Sequence, residues 1–232
     1  MGTAVLWGAV AASSLVIGAL LGLARQWPDR WVGLVLAFGA GALVSAVSFE
    51  LAEEGIKVGG GASVGAGLAV GALTYWVLDR ALDRRGGSSN AGTALALGAF
   101  LDGIPEQLVL GIGLATGGEV SIALLVAIFV SNLPEAIGSA SQMRAAKRRP
   151  PVIRRLWLVV AAVCLLATLV GYAIADSASG HLQAGIDGFA AGALLVMLVD
   201  SMVPEARRKA GTTAGLVTTL GFAVAAGMSS LS

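Results

Sequence analysis

The sequence predicts an all-α polytopic membrane protein: eight transmembrane helices in a 3+2+3 inverted-repeat arrangement, with both termini outside. Three observations predict it. Of 232 residues, 56% are hydrophobic and only 12% charged, with a mean hydropathy of +0.85; soluble domains carry about 25% charged residues. The apolar residues fall into eight runs, each close to the roughly 20 residues that cross a bilayer. Basic residues occupy alternate connections between these runs. Eight spans leave no room for a separate soluble domain, so residues 1–232 read as one transmembrane domain.

The spans run roughly 3–24, 31–52, 62–78, 93–115, 119–142, 156–175, 183–204 and 213–231. The first has no basic segment before it and is long enough to remain as a span rather than act as a cleaved signal. Breaks fall at Arg25 to Arg30, Glu53 to Gly61, Asp79 to Gly92, Gly117–Gly118, Arg144 to Arg155, Asp176 to His181, and Arg207 to Lys209. The odd connections hold Arg25 and Arg30, then Arg80, Arg84 and Arg85, then Arg144, Lys147, Arg148, Arg149, Arg154 and Arg155, then Arg207, Arg208 and Lys209. Only Lys57 of the 15 Lys and Arg lies elsewhere. By the positive-inside rule the odd connections are cytoplasmic. Glu50, Glu53, Glu54, Glu119 and Asp176 make the outer face net negative, which concentrates cations there.

Two pairs of segments repeat. Phe38 to Glu54 reads FGAGALVSAVSFELAEE and Phe189 to Glu205 reads FAAGALLVMLVDSMVPE. They lie on spans two and seven, which run in opposite directions. Spans four and five carry DGIPEQ (Asp102 to Gln107) and SNLPEA (Ser131 to Ala136), also antiparallel. Inverted repeats with helices broken near the bilayer middle are the pattern of secondary transporters.

Asp102, Glu106 and Glu135 fall near mid-span, where each acid costs about 2.5–3.5 kcal/mol or more. Asp102 and Glu106 share one helix face, four residues apart, as do Ser131 and Glu135, with Asn132 beside them. Pro105 and Pro134 remove backbone donors, freeing the carbonyls of Leu101 and Val130. Two facing, half-broken helices would then present carboxylates, an amide, a hydroxyl and loose carbonyls at one depth. Three carboxylates in a low dielectric do not all stay charged without a cation. A divalent ion supplies two positive charges, with the third acid protonated or paired. Neutral hydrogen-bonded acids and proton binding alone are the other readings of the same pattern. Asp200 and Glu205 toward the inner end of span seven, and Glu50, Glu53 and Glu54 at the outer end of span two, mark either a cation path or solvated helix ends. The single Cys164, at mid-span six, offers a thiolate to a soft metal or is a small core residue. His181 lies in an outer connection.

On these residues the chain resembles the ZIP (ZRT/IRT-like) family of divalent metal transporters, along its whole length. Bacterial members carry His-Asn-x-Pro-Glu-Gly in span four; Asp102, Gly103, Ile104, Pro105, Glu106 and Gln107 keep the Pro and Glu and place Asp102 where the His stands. Ser131 to Ala136 keeps Pro134 and Glu135 in span five. The resemblance implies that Glu106 and Glu135 are metal ligands, with Asp102, Ser131 and Asn132 at flanking ligand positions. Cys164 aligns where many bacterial members have a span-six Glu that completes a second metal position, and Gly103 where an Asn would ligate. The connection from Asp79 to Gly92 lacks the His-rich segment of the family. This mostly oxygen site suits harder ions such as Mn²⁺ or Fe²⁺ without excluding Zn²⁺.

The expected activity is therefore carriage of divalent metal cations (zinc, or manganese and iron) toward the cytoplasm, the ion being cargo rather than a resident cofactor. A proton-coupled carrier of another solute, with the carboxylates as a relay, is the alternative. Nothing resembles a Walker loop, an HExxH pair or a Ser/His pair, so no enzyme is expected. The resemblance further implies a homodimer, with spans one, four, five and six moving against two, three, seven and eight. The expected location is an inner (cytoplasmic) bacterial membrane, with lipid and the metal cation as partners and no nucleic acid.

Overall fold

The computed structural model describes the backbone of all residues except 87–90, 117–120, 179 and 231–232, and the side chains of those residues apart from 82–86, 91–101, 116 and 176. Eight helices follow in the order α1 (Gly2–Ala24), α2 (Asp29–Gly59), α3 (Gly61–Gly86), α4 (Ala91–Thr116), α5 (Ile122–Ala145), α6 (Pro150–Asp176), α7 (His181–Ala210) and α8 (Thr213–Ser229). No strand occurs among the described residues. Among the described residues, six helices are long and apolar enough to cross a membrane. Even the 17-residue α8 spans about 26 Å at 1.5 Å per residue. The Gly117–Gly118 turn and Glu119 lie outside the described residues, as do the side chains of Arg84, Arg85 and Asp176.

Local chemistry sets the helix ends. Pro150 opens α6 at a position where no backbone donor is needed. The Ser121 hydroxyl caps α5 by accepting from the Leu124 amide at 3.2 Å. Gly60 and Gly211 turn the chain sharply between α2 and α3 and between α7 and α8, at φ of 84° and 68°, a backbone conformation that costs glycine nothing.

α2, α5 and α7 are the most deeply packed helices, while α3 and α6 sit at the rim. The rim exposes Leu73 and Val77 on α3, Leu158 and Leu166 on α6, and Leu216 and Leu220 on α8. An apolar girdle of this extent is a liability in water and is what a lipid-facing surface requires. The contacts pair α3 with α7 and α8 with α2, and likewise α4 with α6 and α5 with α1. Each pairing has its counterpart under the inverted repeat, so the 3+2+3 arrangement is realised in the packing.

The repeat extends beyond the matched letters. A Cβ built on Gly41 would strike the Thr218 carbonyl oxygen, and one on its repeat equivalent Gly192 would strike that of Leu68. Gly221 meets the Phe38 carbonyl in the same way, and Gly71 meets that of Phe189. Lipid-embedded helices associate through this kind of close backbone approach at small residues. Each long helix also contains one π-helical turn, Val47–Glu53 in α2 and Leu198–Met202 in α7. The two turns begin at equivalent positions of the repeat, as do the glycine turns at Gly60 and Gly211.

Two expectations need correction. Pro105 and Pro134 lie inside continuous helices; the helices are not broken there, and the irregular backbone is found in the π turns of α2 and α7. A membrane helix tolerates an internal proline because neighbouring polar groups and small local adjustments re-satisfy the freed carbonyls. Most of the break expected at Glu53 to Gly61, and all of that at Arg207 to Lys209, is helical too, the chain turning only at Gly60 and Gly211. Their charges are carried on the helix by local ion pairs, Lys57 to Glu53 at 3.0 Å and Lys209 to Glu205 at 2.7 Å.

Candidate functional site

α4 and α5 cross with their acidic faces together. Glu106, 2% exposed, has both carboxylate oxygens held from α5: the Ser131 hydroxyl donates to Oε1 at 2.9 Å and the Asn132 amide nitrogen to Oε2 at 2.5 Å. Ser131 and Asn132 also donate to the Ile128 carbonyl, at 2.9 and 3.0 Å. These bonds fix both side chains against their own helix while they present donors to Glu106. Glu135, one turn further along α5, is half-buried, with Asp102, Glu106, Glu205 and Lys209 as its charged neighbours.

Asp102 is 4% exposed but turns to a different side of the bundle. Its Oδ1 accepts from the Tyr75 hydroxyl of α3, and its Oδ2 from the Ser201 hydroxyl of α7 at 3.1 Å. The two acids of one helix face are thus divided: α5 holds Glu106, while α3 and α7 hold Asp102. The sequence reading missed both hydroxyls. A tyrosine in an otherwise apolar span was the available signal for Tyr75, since a buried phenol needs a partner. Ser201 carried none.

Cys164 lies beside the site. It is fully buried, and a Cβ built on Gly103 would come 2.8 Å from its sulfur and 3.7 Å from Asn132 Oδ1. That amide oxygen is buried without a hydrogen-bond partner among the described residues. Gly103 therefore marks the point where α4, α5 and α6 converge, with the thiol on one side and an unsatisfied acceptor on the other. Gly103→Ala is expected to destabilise the fold by about 1–3 kcal/mol through overpacking. Cys164→Ala in the same chain should restore most of that loss, a coupling measurable as a double-mutant cycle on thermal unfolding in detergent. Additive effects would show that the glycine and the thiol are not in contact.

Further polar side chains line the same core. Thr168 donates to Gln107 Oε1 at 2.6 Å, and the buried Gln107 Nε2 has no partner among the described residues. Toward the basic end, Glu205 pairs with Lys209 and, at 3.6 Å, with Arg208, while Asp200 is exposed. Toward the opposite end, Glu50 accepts from Ser121 at 2.6 Å and from Ser229 at 2.8 Å; Glu53 and Glu54 are exposed beside Lys57. Asp187, a buried acid the sequence reading did not single out, lies near Gln183 at 3.5 Å and packs over Gly55. His181 Nδ1 meets the Gly59 carbonyl at 2.7 Å at the end of α2, away from the carboxylates.

Among the described residues, no three His, Cys, Asp or Glu side chains converge closely enough to grip one ion. What faces the interior is a mixed set of carboxylate, amide and hydroxyl oxygens with one thiol, chemistry that suits a divalent cation once the acids regroup.

Comparison with known proteins gives the family. A family model described as ZIP zinc transporter matches residues 81–229, more than half of the chain and inclusive of both Pro-Glu segments and Cys164. An Arabidopsis thaliana protein named "Putative zinc transporter" is 28% identical over 220 residues, which are 90% of this chain. The chain spans about a third of the length of that relative, 35%. With eight helices in inverted repeat and a polar centre on α4 and α5, the chain belongs to the ZIP zinc transporter family.

Proposed function

We propose that the chain carries divalent metal cations across a bilayer through a site formed by Asp102, Glu106, Ser131, Asn132, Glu135 and Cys164, as a single transmembrane domain over 1–232. The observation that carries this reading is the Glu106 carboxylate, buried between facing helices and held at both oxygens by α5, with Glu135 one turn away. Buried acids in a membrane bundle mark ion or proton pathways. Movement is toward the end bearing Arg144 to Arg155, which the positive-inside rule assigns to the cytoplasm. Cations gather first at the net-negative opposite face and leave past Glu205. The working assembly is a homodimer in a bacterial cytoplasmic membrane, and the chemistry is transport rather than catalysis.

The donor set decides which metal. Zn²⁺ favours nitrogen and sulfur in tetrahedral sites, and here one thiol accompanies several oxygens. Uptake by proteoliposomes containing the purified chain should therefore be saturable for Mn²⁺ and Fe²⁺ as well as Zn²⁺, in competition assays that include Co²⁺ and Cd²⁺. Absence of saturable uptake for every one of these ions overturns the reading. The proton-relay alternative draws on the same geometry, because Asp102 and Glu106 are capped by hydroxyl and amide donors with no cation required. Proton flux in metal-free vesicles, coupled to some other solute, would favour it.

A further inference from the structure

We infer that Tyr75 and Ser201 are positioning residues that latch Asp102 to α3 and α7, and that Glu50 with Ser121 forms a second latch at the other end. Glu50 and Ser201 are each the fourth residue of a π turn, and the two turns occupy equivalent positions of the inverted repeat. Each reaches from its long helix to the central α4–α5 pair. Ser201 of α7 donates to Asp102 on α4, and Glu50 of α2 accepts from the Ser121 cap of α5. Each latch has a second tie: the Tyr75 hydroxyl on Asp102 and the Ser229 hydroxyl on Glu50.

The positions of the latches give them direction. Asp102 lies one turn from Glu106 toward the basic end of the bundle, whereas Ser121 and Ser229 lie at the helix ends of the opposite face. With both latched, as in this structure, Glu106 and Asp102 are buried, 2% and 4% exposed. Parting α4 from α3 and α7 strips Asp102 of two donors and frees it to turn back toward Glu106. Parting α5 from α2 releases the other face. A carboxylate alternately held by hydroxyls and offered to the centre couples opening at the basic end to the state of the site. π turns suit this role, since their irregular hydrogen bonding leaves local backbone slack and they recur at functional positions. The use of the latches in transport rests on the function proposed above; their existence does not.

Cys164 is the chain's one cysteine, fully buried against Gly103, so its reaction with a membrane-impermeant methanethiosulfonate reports access to the centre. The reagent is applied from either face of reconstituted vesicles. Tyr75→Phe and Ser201→Ala should raise the labelling rate from the basic face at least about tenfold, the scale of one hydrogen bond to a charged group, and leave the other face unchanged. Glu50→Ala should do the converse, and Ser201→Thr, which keeps the hydroxyl, should label like the native chain. A rise of equal size from both faces marks simple loosening of the bundle and overturns the inference, as does no rise at all. The failure modes stay separate: face-specific labelling without metal uptake rejects the transport reading alone, while uptake with unchanged labelling rejects the latches alone.

Discussion

Glu106→Ala, alone or with Glu135→Ala, is expected to abolish saturable metal uptake while leaving a folded bundle. Glu106 contributes a buried carboxylate that both Ser131 and Asn132 have been arranged to hold. Removing it eliminates that carboxylate from the centre and takes one acceptor from each of the two donors, whereas loss of a residue that merely supports a ligand typically lowers metal affinity about 10–100-fold. A direct ligand should cost at least the upper end of that range. Glu106→Gln separates charge from shape: it fills the same volume and keeps one acceptor, so uptake lost in this variant is lost through charge. Glu53→Ala serves as the control, because Glu53 is exposed and its pair with Lys57 lies in high dielectric, where such pairs contribute about 0–1 kcal/mol. Uptake is followed with radiolabelled Zn²⁺ and Mn²⁺, and folding by size-exclusion profile. Native-like transport by the Glu106→Ala, Glu135→Ala double variant would remove these residues from the pathway.

The second large effect is on stability and comes from glycine. Gly41→Ala and Gly192→Ala each drive a methyl group into a carbonyl oxygen of the neighbouring helix, Thr218 and Leu68 respectively. The receiving atom is backbone and cannot rotate aside, so the helices must separate. Each substitution should cost about 2–3 kcal/mol, the upper part of the overpacking range. The two sites lie in different interfaces, α2 with α8 and α7 with α3, so their effects should add. Together they remove a large share of the 5–15 kcal/mol typical of a folded domain. Gly215→Ala is the contrast: nothing lies within 4 Å of its missing Cβ. It should be neutral or stabilising by up to about 1 kcal/mol, the helix-propensity difference between the two residues. Thermal unfolding in detergent distinguishes the three variants, and equal effects at Gly41 and Gly215 would show that backbone approach is not what holds the helix pairs.

Much of the site was legible in the chain. Asp102, Glu106 and Glu135 stand out because an acid at mid-span is costly wherever its helix sits, and Ser131 and Asn132 follow from helical spacing. The spatial grouping of Glu106 with Ser131 and Asn132 is what facing Pro-Glu segments suggest. The Asp102 partners were not legible. Tyr75 is 27 residues away and Ser201 is 99, and neither belongs to a recognisable spacing. Asp102 and Glu106 share a helix face, yet α3 and α7 supply the donors to one and α5 those to the other.

The helix irregularities divide the same way. Proline predicts a weakened hydrogen-bond ladder at a known residue, but whether the helix breaks depends on what packs against it, and α4 and α5 run through Pro105 and Pro134 unbroken. The π turns of α2 and α7 have no letter that announces them.

By itself the sequence determined the eight helices, the basic and acidic connections, the inverted repeat and the position of the acids along their helices. These are properties that accumulate along one dimension: apolar transfer free energy, net charge of a connection, and position within a run of about 20 residues. Only the tertiary structure decided which donor holds which acid, that Cys164 abuts Gly103, and that the repeat carries paired π turns and paired glycine contacts. Those outcomes depend on the rotation and separation of neighbouring helices. In lipid these are fixed by close packing at small residues rather than by hydrophobic pattern, and a row of glycines and alanines does not name its partner.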